Sequence, residues 1–459
     1  MGVAISGWPL ARAVSLAGQL GVVSGTAIDA VFARRLQNEG VSDALRAVLE
    51  RFPIQSVVER VLQRFARTKR AVSDAYQNVV MLTHRSAEHA HDLLVLAAFT
   101  EVALAKQGHD GKVGMNLLTK VQVPTAATLM GAILADADYV VMGAGVPTHI
   151  PGVLASLAAG EPVDTPLDVT GESSARRLRF LPERYLPSRA LTAPKFLGVV
   201  SSHVLATALA RRSNGPVEGF VVERPSAGGH NAPPRGAYEV DAHGGPVYGP
   251  RDEVRFEAMV DLGLPFWIGG AVTRPEDVTE ARALGATGVQ VGTLFAYCEE
   301  SGMDPAIRAD VLGRLAQTDV EVSTSLRASA TGYPFKVAHV PASLSEPEVY
   351  ATRERNCDLG YLREAYARPD GSLGYRCSAE PVSAYVRKGG DAAATEGAMC
   401  LCNGLMATCG LAQVRGGTGT EPALITSGDA INDVRLLLQG RDSYSARDVI
   451  EYLSATTPD

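Results

Sequence analysis

The stretch that decides the fold reads Gly219-Phe220-Val221-Val222-Glu223-Arg224-Pro225-Ser226-Ala227-Gly228-Gly229-His230. Its first four residues form a short apolar run, which is typical of a buried strand. The proline and glycines that follow predict a loop, and two adjacent glycines let a backbone pass close to a flat ligand. A histidine at the end of such a loop can give or take a proton near neutral pH. Taken alone, His230 could equally cap a turn or bond to a carbonyl.

The same order of apolar run, small-residue turn and helical segment recurs through the first 300 residues. We count eight strand–helix units between Gly2 and about Ser301, with Gly2–Ser6 as the first strand. Apolar strands without alternation indicate a parallel sheet covered on both faces, and eight units are what a (β/α)8 TIM barrel requires. A doubly wound open sheet is the alternative, but the first strand carries no G-x-G-x-x-G fingerprint. The sequence therefore predicts an α/β fold of the TIM-barrel class.

Two parts of the chain fall outside this alternation. Residues from about 41 to 107 contain amphipathic segments separated by Pro53, which predicts a helical insertion on one side of the barrel. Residues 304–459 predict a helical C-terminal appendage. We therefore divide the chain into a barrel of residues 1–303, with the insertion, and a subdomain of residues 304–459 that could act as a lid or a docking surface.

Composition narrows the class of protein. With 46% hydrophobic and 20% charged residues in 459, the chain is typical of a globular protein with a large core. A net charge of −7 without a long basic run argues against nucleic acid as a partner. The longest apolar run, Leu93–Ala105, is too short to span a membrane, and no secretion leader is visible. Six cysteines without an established zinc spacing predict a reducing, cytoplasmic location and no metal site.

The strand ends of a TIM barrel form its active face, and here they are rich in small residues. Such ends leave room for a broad flat ligand across the barrel mouth. The turns after the seventh and eighth strands are the usual phosphate site, where Gly269, Gly270, Gly292 and Thr293 could hold a phosphate at a helix start. A phosphate with a flat ring suggests flavin mononucleotide (FMN).

Two polar residues suit the ring of such a cofactor. Asn116 could hydrogen-bond to its edge, and Lys120 could place positive charge beside it, although a solvated loop lysine is an equal alternative. The candidate cofactor-binding residues are Ile5, Ser6, Gly25, Thr26, Asn116, Lys120, Gly228, Gly229, Gly269, Gly270, Gly292 and Thr293.

Ala227-Gly228-Gly229-His230, with the Gly-Gly and Gly-Thr turns, resembles the nitronate monooxygenase (2-nitropropane dioxygenase-like) family of FMN barrels over roughly residues 2–300. Nearly the whole chain is similar to the PfaD-type subfamily, the trans-acting enoyl reductases of polyunsaturated fatty acid and polyketide synthases. That similarity includes Gly114-Met115-Asn116-Leu117, Val140-Val141-Met142-Gly143-Ala144-Gly145, Thr331-Gly332-Tyr333-Pro334-Phe335-Lys336 and Cys400-Leu401-Cys402-Asn403-Gly404-Leu405.

The resemblance implies bound FMN, NADPH or NADH as the reductant, and an enoyl thioester on an acyl carrier protein or synthase module. It also allows a homodimer. It assigns the catalytic histidine to His230 and phosphate-binding glycines to Gly269, Gly270 and Gly292. The loop of residues 231–236 departs from the common monooxygenase pattern and fits the enoyl reductase branch better.

Three functions follow as hypotheses. The first is enoyl reduction, with His230 protonating the α-carbon or polarising the thioester carbonyl. The second is nitronate oxidation, in which His230 removes a proton; the large appendage argues against it. The third is a flavin-bearing scaffold subunit without turnover. Lys336 and Lys388 could meet an acidic carrier protein, or simply lie on a solvated face.

Overall fold

The computed structural model describes residues 2–67, 69–236, 239–242, 244–416 and 419–455. The elements up to residue 105 are α1 (Trp8–Leu16), β1 (Gly21–Ser24), α2 (Ile28–Glu39), α3 (Asp43–Leu49), α4 (Gln55–Phe65) and α5 (Glu88–Ala105). The next are β2 (Val113–Leu118), α6 (Thr125–Leu134), β3 (Tyr139–Gly143), α7 (Ile150–Ala159), β4 (Val163–Leu167), β5 (Val169–Thr170), β6 (Arg176–Phe180), β7 (Lys195–Val200) and α8 (His203–Arg212). The barrel part ends with β8 (Gly219–Glu223), α9 (Phe256–Val260), β9 (Phe266–Gly269), α10 (Pro275–Ala283), β10 (Gly288–Gln290) and α11 (Thr293–Ala296).

Seven parallel strands form one sheet in the order β1-β2-β3-β7-β8-β9-β10. Helices connect successive strands, as crossover connections between parallel neighbours require. Val141, Leu197 and Val221 pack together inside the curve of the sheet, with Val22 and Trp267 beside them. The predicted α/β fold of the TIM-barrel class is therefore confirmed, with seven strands instead of eight in the sheet that the described residues form.

The predicted first strand, Gly2–Ser6, is wrong. Residues 3–5 form a turn, because Ala4 has φ 54° and the Ile5 N–H bonds to the Val3 carbonyl at 2.7 Å. The segment nevertheless lies beside the first observed strand, where the Ser6 carbonyl accepts from the Ser24 N–H at 2.8 Å. An apolar run of this length does not distinguish a strand from a turn, and the left-handed residue breaks the ladder.

The predicted insertion contains three helices with different roles. Helix α5 is buried along nearly its whole length and packs against α6, so it belongs to the helical layer around the sheet. Helices α3 and α4 pack against α5. They bury only part of their surface, as their amphipathic patterns predict.

The C-terminal part mixes helices with short strand pairs, whereas the sequence predicts helices alone. Its elements are α12 (Pro305–Leu315), β11 (Val322–Ser325), β12 (Phe335–Ala338), α13 (Pro347–Thr352), β13 (Glu364–Ala367), β14 (Leu373–Arg376), α14 (Val382–Arg387), α15 (Leu401–Thr408), β15 (Val414–Arg415), β16 (Gly419–Thr420), α16 (Arg435–Leu438) and α17 (Ala446–Leu453). Strands β11 and β12 pair antiparallel, as do β13 and β14, while β13 also pairs with β5 in parallel. Short turns such as the one at Gly371, with φ 79°, allow these hairpins.

The C-terminal part shares a hydrophobic core with the barrel part. Leu10 and Leu294 from the barrel part pack in one buried cluster with Leu312, Ile431 and Val449. The domain boundary after residue 303 stays a prediction. In the described part of the chain, no helix has the length and apolar character needed to cross a membrane.

Candidate active site

Polar side chains lie just above the apolar layer inside the sheet. Ser24 pairs with Asn116 in the β1–β2 register, and Asn116 pairs with Val141 of the interior cluster. Because paired residues of neighbouring strands face the same side, Ser24 and Asn116 point inward. The Asn116 amide donates to the Val141 carbonyl at 3.0 Å, while the buried Ser24 hydroxyl has no hydrogen-bond partner.

Residues 227–230, which we call the AGGH loop, follow β8 and are held by strand β12. The Lys336 N–H donates to the Gly229 carbonyl and the Asn231 N–H donates to the Pro334 carbonyl, both at 2.9 Å. Gly229 has φ 82°, a conformation that a residue with a side chain adopts only with strain. The His230 ring meets the Phe335 ring edge-to-face, with centroids 4.9 Å apart. The loop therefore presents His230 against a wall supplied by the C-terminal part.

A chain of hydroxyl groups leads away from the His230 ring. Its Nε2 lies 2.7 Å from Ser329 Oγ, which lies 2.8 Å from Thr331 Oγ1. Burial lowers the pKa of His230 to about 4, because the ring sits among groups that solvate an imidazolium poorly. At neutral pH the imidazole is uncharged and hydrogen-bonded to a relay of two hydroxyls. Sequence reasoning missed Ser329 and Thr331, because serine and threonine are common residue types and these two lie about 100 positions after His230 in the chain.

Glu223 is a second titratable group at the site, and unlike His230 it titrates near neutrality. Burial raises the pKa of its carboxyl to about 7. It comes two residues after the inward-facing Val221 on the same strand, so its side chain points to the interior. Sequence reasoning passed over Glu223, although a charged residue closing an apolar strand was a signal that could have found it.

Four residues of the C-terminal part, Thr426, Ser427, Gly428 and Asp429, lie on the AGGH loop; we call them the 426–429 segment. The Thr426 hydroxyl accepts from the Gly229 N–H at 3.0 Å, and the Asp429 N–H donates to the Ser226 carbonyl at 3.1 Å. A Cβ on Gly228 would meet the Ser427 carbonyl carbon at 2.8 Å. The segment fixes the loop, and no local sequence signal pointed to it.

The predicted phosphate turns do come together at the neighbouring ends of β9 and β10. Gly269 pairs with Gln290, and Gly270 has φ 103° beside Ser226. A Cβ on Gly292 would meet open space. The Thr293 hydroxyl accepts from the Gly428 N–H at 3.1 Å, so it keeps its own proton free to donate.

The other predicted cofactor-binding residues differ from one another in their contacts. The Gly25 N–H donates to the Asn116 carbonyl at 2.8 Å, and Thr26 follows it half-buried. The Ile5 carbonyl accepts from the Gly302 N–H, and the Ser6 hydroxyl donates to the Val22 carbonyl at 2.5 Å.

Lys120 is exposed, with Nζ 5.5 Å from the centre of the Tyr333 ring. This position agrees with the alternative of a solvated loop lysine, and it holds the charge beside an aromatic face.

Several polar atoms near the strand ends fit a flat polar ligand. Ser24 Oγ, Thr119 Oγ1 and Asn231 Oδ1 are buried without a hydrogen-bond partner, which costs free energy unless a ligand or water satisfies them. Among the described residues, no atom lies within 4 Å of the position that a Cβ would take on Gly229 or Gly292. The residues present therefore suit the polar ring edge and phosphate of a flavin. The 426–429 segment reduces the space beside the turns that are predicted to bind the phosphate.

Two lysines do not form the exposed basic face considered for a carrier protein. Lys336 is buried and its Nζ lies 2.5 Å from Asp429 Oδ1, so the expectation of an accessible charge there is wrong. Lys388 is paired with the buried Glu380 at 2.6 Å. Both lysines hold the C-terminal part together.

Four cysteine thiols lie around one small cavity of about 10 Å³ in the C-terminal part. They are Cys357, Cys377, Cys400 and Cys402. Burial raises the pKa of Cys357 to about 12, so this thiol stays protonated at neutral pH. Among the described residues, no group of three or more His, Cys, Asp or Glu side chains is arranged to hold a metal ion.

Comparisons with known proteins assign no family to this chain. No family model matches the chain, and no curated protein matches it. FabK from Thermotoga maritima is 16% identical with a TM-score of 0.47, over 98% of this chain and 88% of its own. A nitroalkane oxidase from Streptomyces ansochromogenes is 13% identical with a TM-score of 0.46, over 99% and 92%. The enoyl reductase domain of MlnA from Bacillus amyloliquefaciens is 11% identical with a TM-score of 0.43, over 78% and 84%.

Proposed function

We propose that this protein is a flavin-dependent enoyl reductase that reduces an enoyl thioester, carried by an acyl carrier protein, with NADPH or NADH. The observation that carries the proposal is the uncharged His230 on the AGGH loop, backed by the Ser329–Thr331 relay and close to unpartnered polar atoms at the strand ends. The PfaD-type resemblance supplies the carrier protein, the synthase context and the cytoplasmic location as parts of the same proposal.

The reaction adds one hydride, which carries two electrons, and one proton to a carbon–carbon double bond. A bound FMN would supply the chemistry of hydride transfer, from the nicotinamide to the β-carbon of the enoyl thioester. The α-carbon then needs a proton, and the negative charge that develops on the thioester oxygen needs a hydrogen-bond donor. The nicotinamide leaves oxidised, so the electrons balance.

His230 can meet both needs without becoming an imidazolium. If its Nε2 accepts the Ser329 proton, Nδ1 carries the ring proton and donates it to the substrate. As Nδ1 releases that proton to the α-carbon, Nε2 takes one from Ser329 Oγ, which takes one from Thr331 Oγ1. Thr331 is half-buried and can be reprotonated by solvent. A histidine whose pKa is lowered to about 4 is suited to this neutral relay.

The test is the visible spectrum of the FMN-loaded protein without oxygen. We expect NADPH to bleach the flavin and an enoyl thioester to restore its colour. Ser329→Ala should slow the recovery step by about tenfold to a hundredfold and leave the bleaching step unchanged, since only the proton relay is cut. Ser323→Ala is the matched control, because Ser323 Oγ bonds to His339 Nε2 at 2.8 Å outside the site. A protein that holds no flavin after reconstitution with FMN would contradict the proposal.

A second function, nitronate oxidation, is favoured by one observation. An imidazole that is uncharged at neutral pH is also ready to remove a proton from a substrate. In that case an alkyl nitronate would bleach the flavin and NADPH would not. Recovery of colour with an enoyl thioester after reduction by NADPH would exclude this alternative as the main activity.

A further inference from the structure

A cavity of about 470 Å³ opens between helices α4 and α5, away from the AGGH loop. Its volume lies within the range of small-molecule pockets, which is about 300–1,000 Å³. Its walls come from α4, the first turns of α5 and the chain at Val79 and Val80, with Asp29 of α2 at one side. It shares no residue with the candidate active site.

The floor of the cavity is apolar. Val57, Val61 and Phe65 follow one another along one side of α4, and Leu93 faces them from α5. All four side chains are at most 7% exposed and belong to the hydrophobic core, so the bottom of the cavity is apolar. Val80, 40% exposed, extends this apolar lining to the rim. Such a floor suits a hydrocarbon chain.

The opening of the cavity carries positive charge. Arg60 and Arg64 lie one turn apart on α4, which places them on one side of the helix beside the apolar floor. Arg67 lines the cavity just beyond the end of that helix. Arg60 pairs with Asp92 at 2.7 Å. Among the described residues, no carboxylate lies within ion-pair distance of Arg64 or Arg67, whereas an anionic ligand could pair with both.

The two carboxylates that line the cavity do not cancel this charge. Asp92 is 2% exposed and is already bonded to Arg60, Arg184 and the Tyr185 hydroxyl. Asp29 is 2% exposed and accepts from the Tyr361 hydroxyl at 2.5 Å. Neither carboxylate forms an ion pair with Arg64 or Arg67, so the positive charge of these two arginines stays available at the opening.

We propose that this cavity binds a single-chain anionic amphiphile, with its carboxylate or phosphate head on Arg64 and Arg67 and its hydrocarbon chain on the floor of Val57, Val61, Phe65 and Leu93. The arginines at the opening select an anionic head group. The affinity increases with the length of the hydrocarbon chain, because the apolar floor buries more of it. Binding of the amphiphile needs only this cavity and its charges, whether or not the barrel binds flavin.

The test uses titration calorimetry of the full-length protein with dodecanoate below its micelle concentration. Arg64→Gln together with Arg67→Gln should weaken binding at least tenfold, because two charged hydrogen-bonding partners are lost. Arg447→Gln is the matched control, since Arg447 is an exposed arginine on α17. Each methylene removed from the probe should weaken binding about three- to fourfold. Equal binding of dodecyltrimethylammonium would overturn the proposal.

A second measurement locates the bound chain. A diazirine-bearing fatty acid, activated by light, should label peptides that contain residues 55–65 and 88–93, and Val61→Trp should abolish that label by filling the cavity. Melting temperatures of the variants show whether they fold. Labelling confined to the AGGH loop would overturn the proposal, as would binding to phosphatidylglycerol vesicles without binding of monomeric dodecanoate.

Discussion

His230 owes its expected chemistry to its surroundings more than to its residue type. A free imidazole is half-protonated at pH 6.5, but burial next to Phe335 lowers the pKa of His230 to about 4. Its ring nitrogen then meets a serine hydroxyl instead of a charged partner. The residue is therefore set to pass a proton along hydroxyls at neutral pH.

The pKa of His230 can be measured by NMR of ring-labelled histidine, with His230→Gln to assign its signal. We expect a titration midpoint near pH 4 in the folded protein. The unfolded chain takes up this proton between about pH 6.5 and 4 while the folded chain does not, so the residue makes folding less favourable as the pH falls through that window. A midpoint at or above 6.5 would refute this account.

Asp29 changes the folding stability with pH in the direction opposite to that of His230. Its carboxyl is buried against the Tyr361 hydroxyl, and burial raises its pKa from 3.8 to about 6. The folded protein therefore holds this proton where the unfolded chain releases it, and stability falls as the pH rises from about 4 to 6. We expect Asp29→Asn to be more stable than the parent by about 3 kcal/mol at pH 8 and nearly equal at pH 3.5. Urea unfolding at the two pH values checks this, and equal differences at both would contradict it.

The secondary-structure elements show which parts of the fold could be predicted from the sequence. The apolar run Gly219-Phe220-Val221-Val222 forms the strand that it predicts, within Gly219–Glu223, because an apolar run is a local signal. The predicted strand Gly2–Ser6 is a turn instead, because an apolar run of that length is compatible with either structure. The AGGH loop and the glycine turns of the candidate site were found in the same way. The 426–429 segment was not, since it contacts the loop from about 200 residues away.

The 426–429 segment packs so closely on the AGGH loop that adding a single methyl group to the loop tests the contact. Gly228→Ala would place a Cβ at 2.8 Å from the Ser427 carbonyl carbon, and a backbone atom cannot rotate away. We expect a loss of stability of ~2 kcal/mol and a weaker hold on His230, hence slower turnover. Gly249→Ala is the control, because no atom lies within 4 Å of the Cβ position there. An unchanged melting temperature in Gly228→Ala would show that the segment does not press on the loop.

The chain as a whole is held together by contacts that cross the predicted boundary at residue 303. The C-terminal part supplies Ser329, Phe335 and the 426–429 segment to the candidate site. It also buries barrel residues in a common core, and the Tyr444 hydroxyl donates to the Leu294 carbonyl at 2.6 Å. A detachable lid would leave a complete barrel behind, whereas these contacts lead us to expect that the C-terminal part is a portion of the barrel's own wall.

Removal of residues 304–459 tests that distinction. The remaining chain would expose Leu10, Val14, Leu294 and Tyr297, each at most 8% exposed in the full-length protein. Since burying each such side chain is worth roughly 1.5–3 kcal/mol, the loss of four, roughly 6–12 kcal/mol, is comparable to the roughly 5–15 kcal/mol by which most domains are stable. We expect residues 1–303 to aggregate or to unfold without cooperativity, measured by size-exclusion chromatography and thermal melting monitored by circular dichroism. A monomeric fragment with a sharp melting transition would instead establish an independent barrel with a separate C-terminal subdomain.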